Sequence, residues 1–75
     1  MAQRTLDATG LTCPLPVLRA RKALKDMAGG DALTVLATDP SAVNDFHAFC
    51  DAAGHRLVDW RRQDEILTFI IEKAG

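Results

Sequence analysis

Residues 6–16 read LDATGLTCPLP and connect a short apolar strand to the start of a helix. Gly10 marks the turn, and Pro14 and Pro16 follow Cys13 at positions where a first helical turn tolerates proline. Proline also disfavours helical backbone in the residue that precedes it. We therefore expect Cys13 to be the N-cap residue of the first helix.

A cysteine at this position would have a distinctive chemistry. The first N–H groups of a helix lack partners within the helix, and those of Leu15 and Val17 would face the cap side chain. These donors and the positive end of the helix dipole favour an anionic sulfur. A thiolate is the nucleophilic form of cysteine, and the same donors would hold a persulfide anion. The motif predicts that Cys13 accepts and holds a transferable sulfur; the alternative is a small buried residue at a helix start.

Hydrophobic periodicity divides the rest of the chain into helices and strands. Apolar residues at helical spacing predict helices at residues 14–27 and 40–53, and Gly29-Gly30 and Gly54 provide their ends. Asp39 reads as a structural cap of the second helix because proline follows it. The predicted strands cover residues 5–8, 32–38, 55–61 and 66–72, with a polar turn at 62–65.

The predicted order of elements is β-α-β-α-β-β. Because both strand-helix-strand units should cross over with the same right hand, both helices lie on one face of the sheet. The last two strands, joined by a short turn, should pair antiparallel. The sequence therefore predicts a two-layer α/β sandwich with a four-stranded mixed sheet. At 75 residues it is one domain, residues 1–75.

Two leucines fall outside the apolar stripe of the first helix. Leu15 and Leu18 share one side of this helix beside Cys13, and Arg19 and Lys22 lie at their rim. An exposed leucine is common on protein surfaces, but a pair next to a reactive sulfur is typical of a docking patch. We interpret these four residues as a surface for an acidic partner protein.

The other chemically active side chains favour structural roles. Cys50 falls within the apolar stripe of the second helix and reads as a small buried residue. Cys13, His47, Cys50 and His55 lack the paired short spacings of a zinc site, so we predict no metal. The two histidines read as surface residues and Trp60 as packing against the core or the sheet.

Charge and composition bear on the possible partners. The net charge is −1 and the chain has four aromatic residues (three Phe and one Trp), so it lacks the basic excess and the stacking surfaces of a nucleic-acid-binding protein. No segment approaches the roughly 20 apolar residues that a membrane span needs. We expect a soluble, cytoplasmic monomer with reduced thiols.

The same residues carry a resemblance to a known family. Residues 6–16 match the pattern Leu-Asp-x-x-Gly-Leu-x-Cys-Pro-x-Pro without a gap, and further matches extend along nearly the whole chain. The sequence resembles the TusA-like, or SirA-like, sulfur-transfer proteins. The additional matching segments are residues 21–24, 39–40, 45–46, 49–50 and 54–57.

The resemblance implies a function and a set of site residues. It implies that Cys13 carries a persulfide, accepted from a cysteine desulfurase or a rhodanese-type donor and passed to a cysteine of an acceptor protein. On this basis the chain is a sulfurtransferase that needs no cofactor besides the covalent sulfur. Gly10, Pro14 and Pro16 belong to the motif, and Asp45 matches an acidic position for partner contacts.

Two other classes of function remain open from the residues. A regulatory module could bind a partner through the first helix without using Cys13. A redox sensor would require Cys13 and Cys50 to meet, with their Cα atoms within about 7 Å. The donor, the acceptor and the pathway are not encoded in the chain.

Overall fold

The computed structural model describes residues 2–75 and shows the predicted order of elements. Two helices, α1 and α2, alternate with the first three of four strands, β1 to β4. The elements are β1 Gln3–Ala8, α1 Leu15–Lys25, β2 Ala32–Ala37, α2 Ala42–Ala53, β3 Arg56–Gln63 and β4 Ile66–Glu72.

The four strands form one mixed sheet in the order β1-β2-β4-β3. β1 and β2 are parallel, whereas β4 runs antiparallel to both β2 and β3. Side chains of β2 and β4 alternate between buried and more accessible positions. The buried ones form a single core with residues of both helices, so both helices cover the same face of the sheet. The predicted two-layer sandwich is confirmed.

Aromatic packing lies at the centre of the core. Phe46 of α2 and Phe69 of β4 are fully buried, and their rings stack with centroids 4.6 Å apart. Trp60 of β3 extends this stack, 6.3 Å from Phe69, while 39% of its surface remains exposed. Cys50 is 2% exposed, which confirms its predicted position in the apolar stripe of α2.

The helices are shorter than the periodicity predicts. α1 begins at Leu15, and Asp26 caps its end. α2 begins at Ala42 because the residues after β2 first form a turn, in which the Ala42 N–H donates to the Asp39 carbonyl over 3.0 Å. β3 extends further than predicted, to Gln63, since Asp64 takes a left-handed conformation with φ 57° and permits a tight turn.

The two ends of the described chain meet at one edge of the sheet. Asp31, just before β2, accepts a hydrogen bond from the Ala2 N–H over 3.0 Å. The Lys73 carbonyl accepts from the Gly30 N–H over 2.9 Å, and the Ala74 N–H donates to His55 over 3.0 Å. The turns that follow β1 and β2 lie at the opposite edge.

Candidate functional site

The candidate site is built where the turns after β1 and β2 come together. Because the two strands are parallel neighbours that end in register at Ala8 and Ala37, their turns leave the sheet at the same edge. The Gly10 N–H donates to the Thr38 hydroxyl over 2.9 Å, and the Cys13 N–H donates to Oδ2 of Asp39 over 2.6 Å. These contacts fix the position of the Cys13 backbone against the start of α2.

Asp39 connects the two turns through both of its carboxylate oxygens. Its Oδ1 accepts from the Ser41 N–H over 3.0 Å and from the Ser41 hydroxyl over 2.9 Å. The backbone donors of Ser41 and Cys13, together with the Ser41 hydroxyl, lower the pKa of Asp39. The predicted N-cap role of Asp39 is wrong, because Ser41 is the N-cap residue of α2 and Asp39 lies two residues before it. The bond from Cys13 to Asp39 was not predicted. The signal was present, because Cys13 and Asp39 each follow one of two parallel strands.

The predicted N-cap role of Cys13 is wrong. Pro14 is the N-cap residue, with no side-chain cap bond, and the Cys13–Pro14 peptide is cis. The Leu15 N–H, which we predicted to face the sulfur, instead donates to the Thr12 carbonyl over 2.9 Å. The acceptor for the Leu15 N–H is thus the Thr12 carbonyl and not the Cys13 sulfur.

The surroundings of the Cys13 sulfur act against the anionic form that the sequence predicts. The side chain is exposed, and Asp45, in the first turn of α2, is the side chain that acts most strongly on the pKa of its thiol. The pKa of Cys13 lies above its ordinary value, chiefly because the Asp45 carboxylate can accept from the thiol; partial desolvation of the sulfur and the negative charges of Asp45 and Asp39 add to the shift. The Ser41 hydroxyl acts in the opposite direction. Together these influences disfavour the anionic sulfur.

The motif residues around Cys13 have separate structural roles. Gly10 has φ +79°, a left-handed conformation that strains other side chains, so the turn after β1 favours glycine there. Pro16 lies in the first turn of α1, next to the loop, and its side chain is buried. Pro14 is exposed and ends the loop that carries Cys13.

The predicted docking patch lies on the surface. Leu15 and Leu18 are 43% and 50% exposed, so the prediction that they lie outside the core is confirmed. Arg19 and Lys22 are exposed as well. Together with Arg4 of β1, these two cations border a groove of about 520 Å³ along α1.

The second cysteine has different surroundings. Burial raises the pKa of Cys50 to about 11, with a smaller contribution from the charge of Asp51. His47 is bonded to the Val43 carbonyl of its own helix at 2.8 Å, and His55 holds the chain end. Within residues 2–75, no three potential ligand side chains are grouped so that they could bind a metal ion. Neither helix described here is long and apolar enough to cross a membrane.

Comparison with known proteins identifies the family. Residues 4–73 match the family model described as Sulfurtransferase TusA. The chain belongs to the TusA family. It is 46% identical to the sulfur carrier protein TusA of Allochromatium vinosum over 69 residues, which cover 92% of this chain and 91% of the relative.

Two further relatives agree with this TusA assignment. A Neisseria meningitidis serogroup A protein, provisionally named a sulfur carrier protein, is 56% identical over 72 residues. The matched region covers 96% of this chain and 97% of that protein. The crystal structure of a SirA-like protein from Desulfitobacterium hafniense matches with a TM-score of 0.84 and 27% identity. That match covers 96% of this chain and 99% of the other. The family, its fold and a general role in sulfur transfer are thus shown for this TusA domain.

Proposed function

We propose that this protein is a sulfur-relay carrier in which Cys13 bears sulfane sulfur as a persulfide. The donor is a cysteine desulfurase or a rhodanese-type protein, and the acceptor is a cysteine of another relay protein. The observation that carries the proposal is the contrast between the two thiols. Cys13 is exposed in the loop between β1 and α1, whereas Cys50 is 2% exposed within the core.

The transfer step requires an accessible sulfur and no bound cofactor. The Cys13 thiol loses its proton and attacks the outer sulfur of the donor persulfide. The sulfur–sulfur bond of the donor breaks, the donor leaves as a thiolate, and Cys13 gains the outer sulfur. No net oxidation occurs, because one sulfur–sulfur bond replaces another. Reduced thiols are compatible with a cytoplasmic carrier.

Partner proteins would dock beside the sulfur on the exposed side of α1. Leu15 and Leu18 provide an apolar centre next to Cys13, and Arg19 and Lys22 provide a basic rim that suits an acidic partner. Asp45 belongs to the same area, since its carboxylate raises the pKa of the Cys13 thiol. The sulfur would thus lie inside the interface with the partner.

The test is sulfur loading of single-cysteine variants. The reduced protein is incubated with a cysteine desulfurase and cysteine, and its intact mass is measured. We expect one added sulfur in wild type and in Cys50→Ser, and none in Cys13→Ser. Added sulfur that persists in Cys13→Ser and is absent from Cys50→Ser would contradict the assignment to Cys13.

A second candidate function is a regulatory module that binds a partner through α1 without carrying sulfur. The exposed pair Leu15 and Leu18 favours such binding, because it would serve either function. The loading experiment separates the two. A regulator would bind its partner equally well as Cys13→Ser and would gain no sulfur from the desulfurase.

A further inference from the structure

β1 is an edge strand whose outer side is open. It stands at one end of the sheet order β1-β2-β4-β3, and within residues 2–75 it pairs with β2 alone. Its residues from Gln3 to Asp7 are exposed, except for Leu6, which is half-buried. An open strand edge presents unpaired backbone N–H and C=O groups, and an extended segment of another chain can pair with them.

The register shows which backbone groups of β1 point outward. The Ala32 N–H donates to the Ala2 carbonyl over 3.0 Å, and Ala32 is the Cα partner of Gln3. In a parallel ladder this pattern turns the N–H and C=O groups of the even-numbered residues of β1 toward β2. Those of Gln3, Thr5 and Asp7 therefore point away from the sheet. We call these three the outward residues of β1.

A basic groove accompanies the open edge. It has a volume of about 520 Å³ and lies between β1 and α1, with Arg4 on the strand and Arg19 and Lys22 on the helix. Asp26, at the end of α1, is the only acidic side chain among the described residues that line it. Side chains of a strand added to β1 would alternate between this groove and the opposite face of the sheet. Three cations from two elements thus face every second side chain of such a strand.

We propose that an extended acidic segment of a partner protein adds to the sheet as a fifth strand along β1, with its carboxylates in the basic groove. Its backbone bonds to the N–H and C=O groups of the outward residues, and every second side chain points toward the cations. This inference names how a partner of the proposed relay protein docks, and to that extent it rests on the proposed function. The binding itself needs no sulfur.

The charge of the groove decides between the possible occupants. A second copy of this chain, paired edge to edge through β1, would bring Arg4, Arg19 and Lys22 of both copies together, and like charges repel. A nucleic acid would satisfy the cations but has no row of peptide N–H and C=O groups for the strand edge. An acidic peptide strand satisfies both. Because the Cys13 loop follows Ala8, the last residue of β1, one end of the added strand would lie beside the reactive edge.

The first test detects strand pairing directly. The probe is an acetylated and amidated hexapeptide in which valine and glutamate alternate, matched to the six residues of β1. Amide exchange of nitrogen-15-labelled protein is measured by NMR with and without the peptide. With two thirds of the protein bound, we expect the amides of Gln3, Thr5 and Asp7 to exchange about threefold more slowly. The amides of Arg4 and Leu6, which already face β2, should keep their rates.

Modified peptides separate strand pairing from attraction between charges. One form is N-methylated at its valines and a second form at its glutamates, so both keep the same side chains and net charge. A strand bonds to β1 through only one alternate set of its residues. We therefore expect one form to lose binding and the other form to keep it. Equal binding of the two forms overturns strand addition.

The third test measures the contribution of the groove. Arg4→Glu and Lys22→Glu should each raise the Kd of the peptide about three- to tenfold at low salt, because an exposed attraction becomes a repulsion. Arg56→Glu, on the strand at the far edge of the sheet, makes the same charge change and should leave the Kd within about twofold. Thr5→Pro removes one outward N–H, which the open side of an edge strand tolerates, and should also weaken binding. If Thr5→Pro does not fold, the N-methylated peptides still test the same bond.

The remaining outcomes each contradict one part of the inference. Protection spread evenly over residues 3–7 overturns strand addition, and equal binding of a peptide with lysine in place of glutamate overturns the acidic specificity. Oligouridylate that binds the groove more tightly than the peptide would assign it to nucleic acid. A dimer that the peptide dissociates in sedimentation experiments would assign the edge to a second copy. If Cys13 gains no sulfur from the desulfurase, the relay function fails and the peptide result still stands.

Discussion

The N–H of Cys13 donates to Oδ2 of Asp39 over 2.6 Å, and this bond links the two turns that form the site. It joins residues 26 positions apart, one before each helix. The sulfur therefore has a fixed position relative to α2 as well as to α1. The side chains that shift the pKa of Cys13, namely Asp45, Ser41 and Asp39, all lie in α2 or in the turn before it.

This link predicts the effect of Asp39→Asn on the Cys13 loop. The variant retains one carbonyl oxygen and cannot accept from both Cys13 and Ser41. We expect the Cys13 amide to exchange its hydrogen about tenfold faster or more, because a hydrogen bond to a charged acceptor is lost. Amide exchange measured by NMR tests this, with Ser41→Ala as the control that keeps the Cys13 bond. Equal exchange in Asp39→Asn and wild type would show that the bond does not hold the loop.

Substitutions in the docking patch should impair sulfur transfer in two different ways, one for the basic rim and one for the apolar centre. Lys22→Glu should slow sulfur transfer to the acceptor at low salt, and the deficit should shrink as ionic strength rises, because salt screens exposed charges over about 10 Å at 0.1 M. Leu18→Ala should weaken docking at every salt concentration, since an apolar contact mainly determines how long the complex lasts. Its stability should change by less than about 0.5 kcal/mol, because half of the side chain is already exposed.

Stopped-flow transfer across a salt series measures both effects. Arg61→Glu is a matched control, because Arg61 pairs with Thr68 on the sheet face opposite the helices. A Leu18→Ala protein that unfolds but transfers normally when folded would place Leu18 in the core. A salt-independent deficit in Lys22→Glu would show that the lysine acts by some means other than its charge.

Acid stability should depend on Asp31. Backbone N–H groups of Ala2 and Ala28 donate to its two carboxylate oxygens and lower its pKa below 3.8. The folded state thus binds this proton less readily than the unfolded chain, so Asp31 stabilises the fold above about pH 4. That contribution is lost as the pH falls through the lowered pKa.

Asp31→Asn tests this dependence directly. The variant should be less stable than wild type at pH 7, and the difference should narrow below about pH 4. Urea denaturation from pH 7 to pH 2 gives the comparison, and Asp59→Asn on the exposed strand β3 serves as control. A stability difference that is constant over this range would mean that the carboxylate charge contributes nothing.

The aromatic stack predicts the most damaging core substitution. Phe46→Ala removes a fully buried ring that stacks on Phe69, and such changes cost about 3–5 kcal/mol. A domain of this size has only a few kcal/mol of net stability, so we expect the variant to be largely unfolded at 37 °C. Circular dichroism during heating measures it, and Val58→Ala, at a 44% exposed position, should melt near wild type.

The sequence predicted the features that depend on local periodicity. The order of elements, the buried position of Cys50 and the exposed pair Leu15 and Leu18 all follow from spacings within one helix or strand. Helix starts were displaced by one or two residues because turn carbonyls, such as that of Thr12, compete with side-chain caps.

The state of the sulfur could not be predicted in this way. The pKa of Cys13 depends on Asp45 and Asp39. Both residues belong to α2 or the turn before it, and only tertiary packing brings them to the Cys13 loop. Local sequence showed the helix start and its dipole, which act in favour of the anion. The carboxylates of Asp45 and Asp39 act in the other direction and raise the pKa of Cys13.

The ends of the described chain meet at the edge of the sheet opposite Cys13, near Asp31 and His55. β1 spans six residues between the two edges, a length of about 17 Å. A tag, a fluorophore or a second protein module joined at either end would therefore stand clear of the sulfur and of the surface beside it. The domain is suited to serve as a portable unit in fusions, with its reactive edge left open to partners.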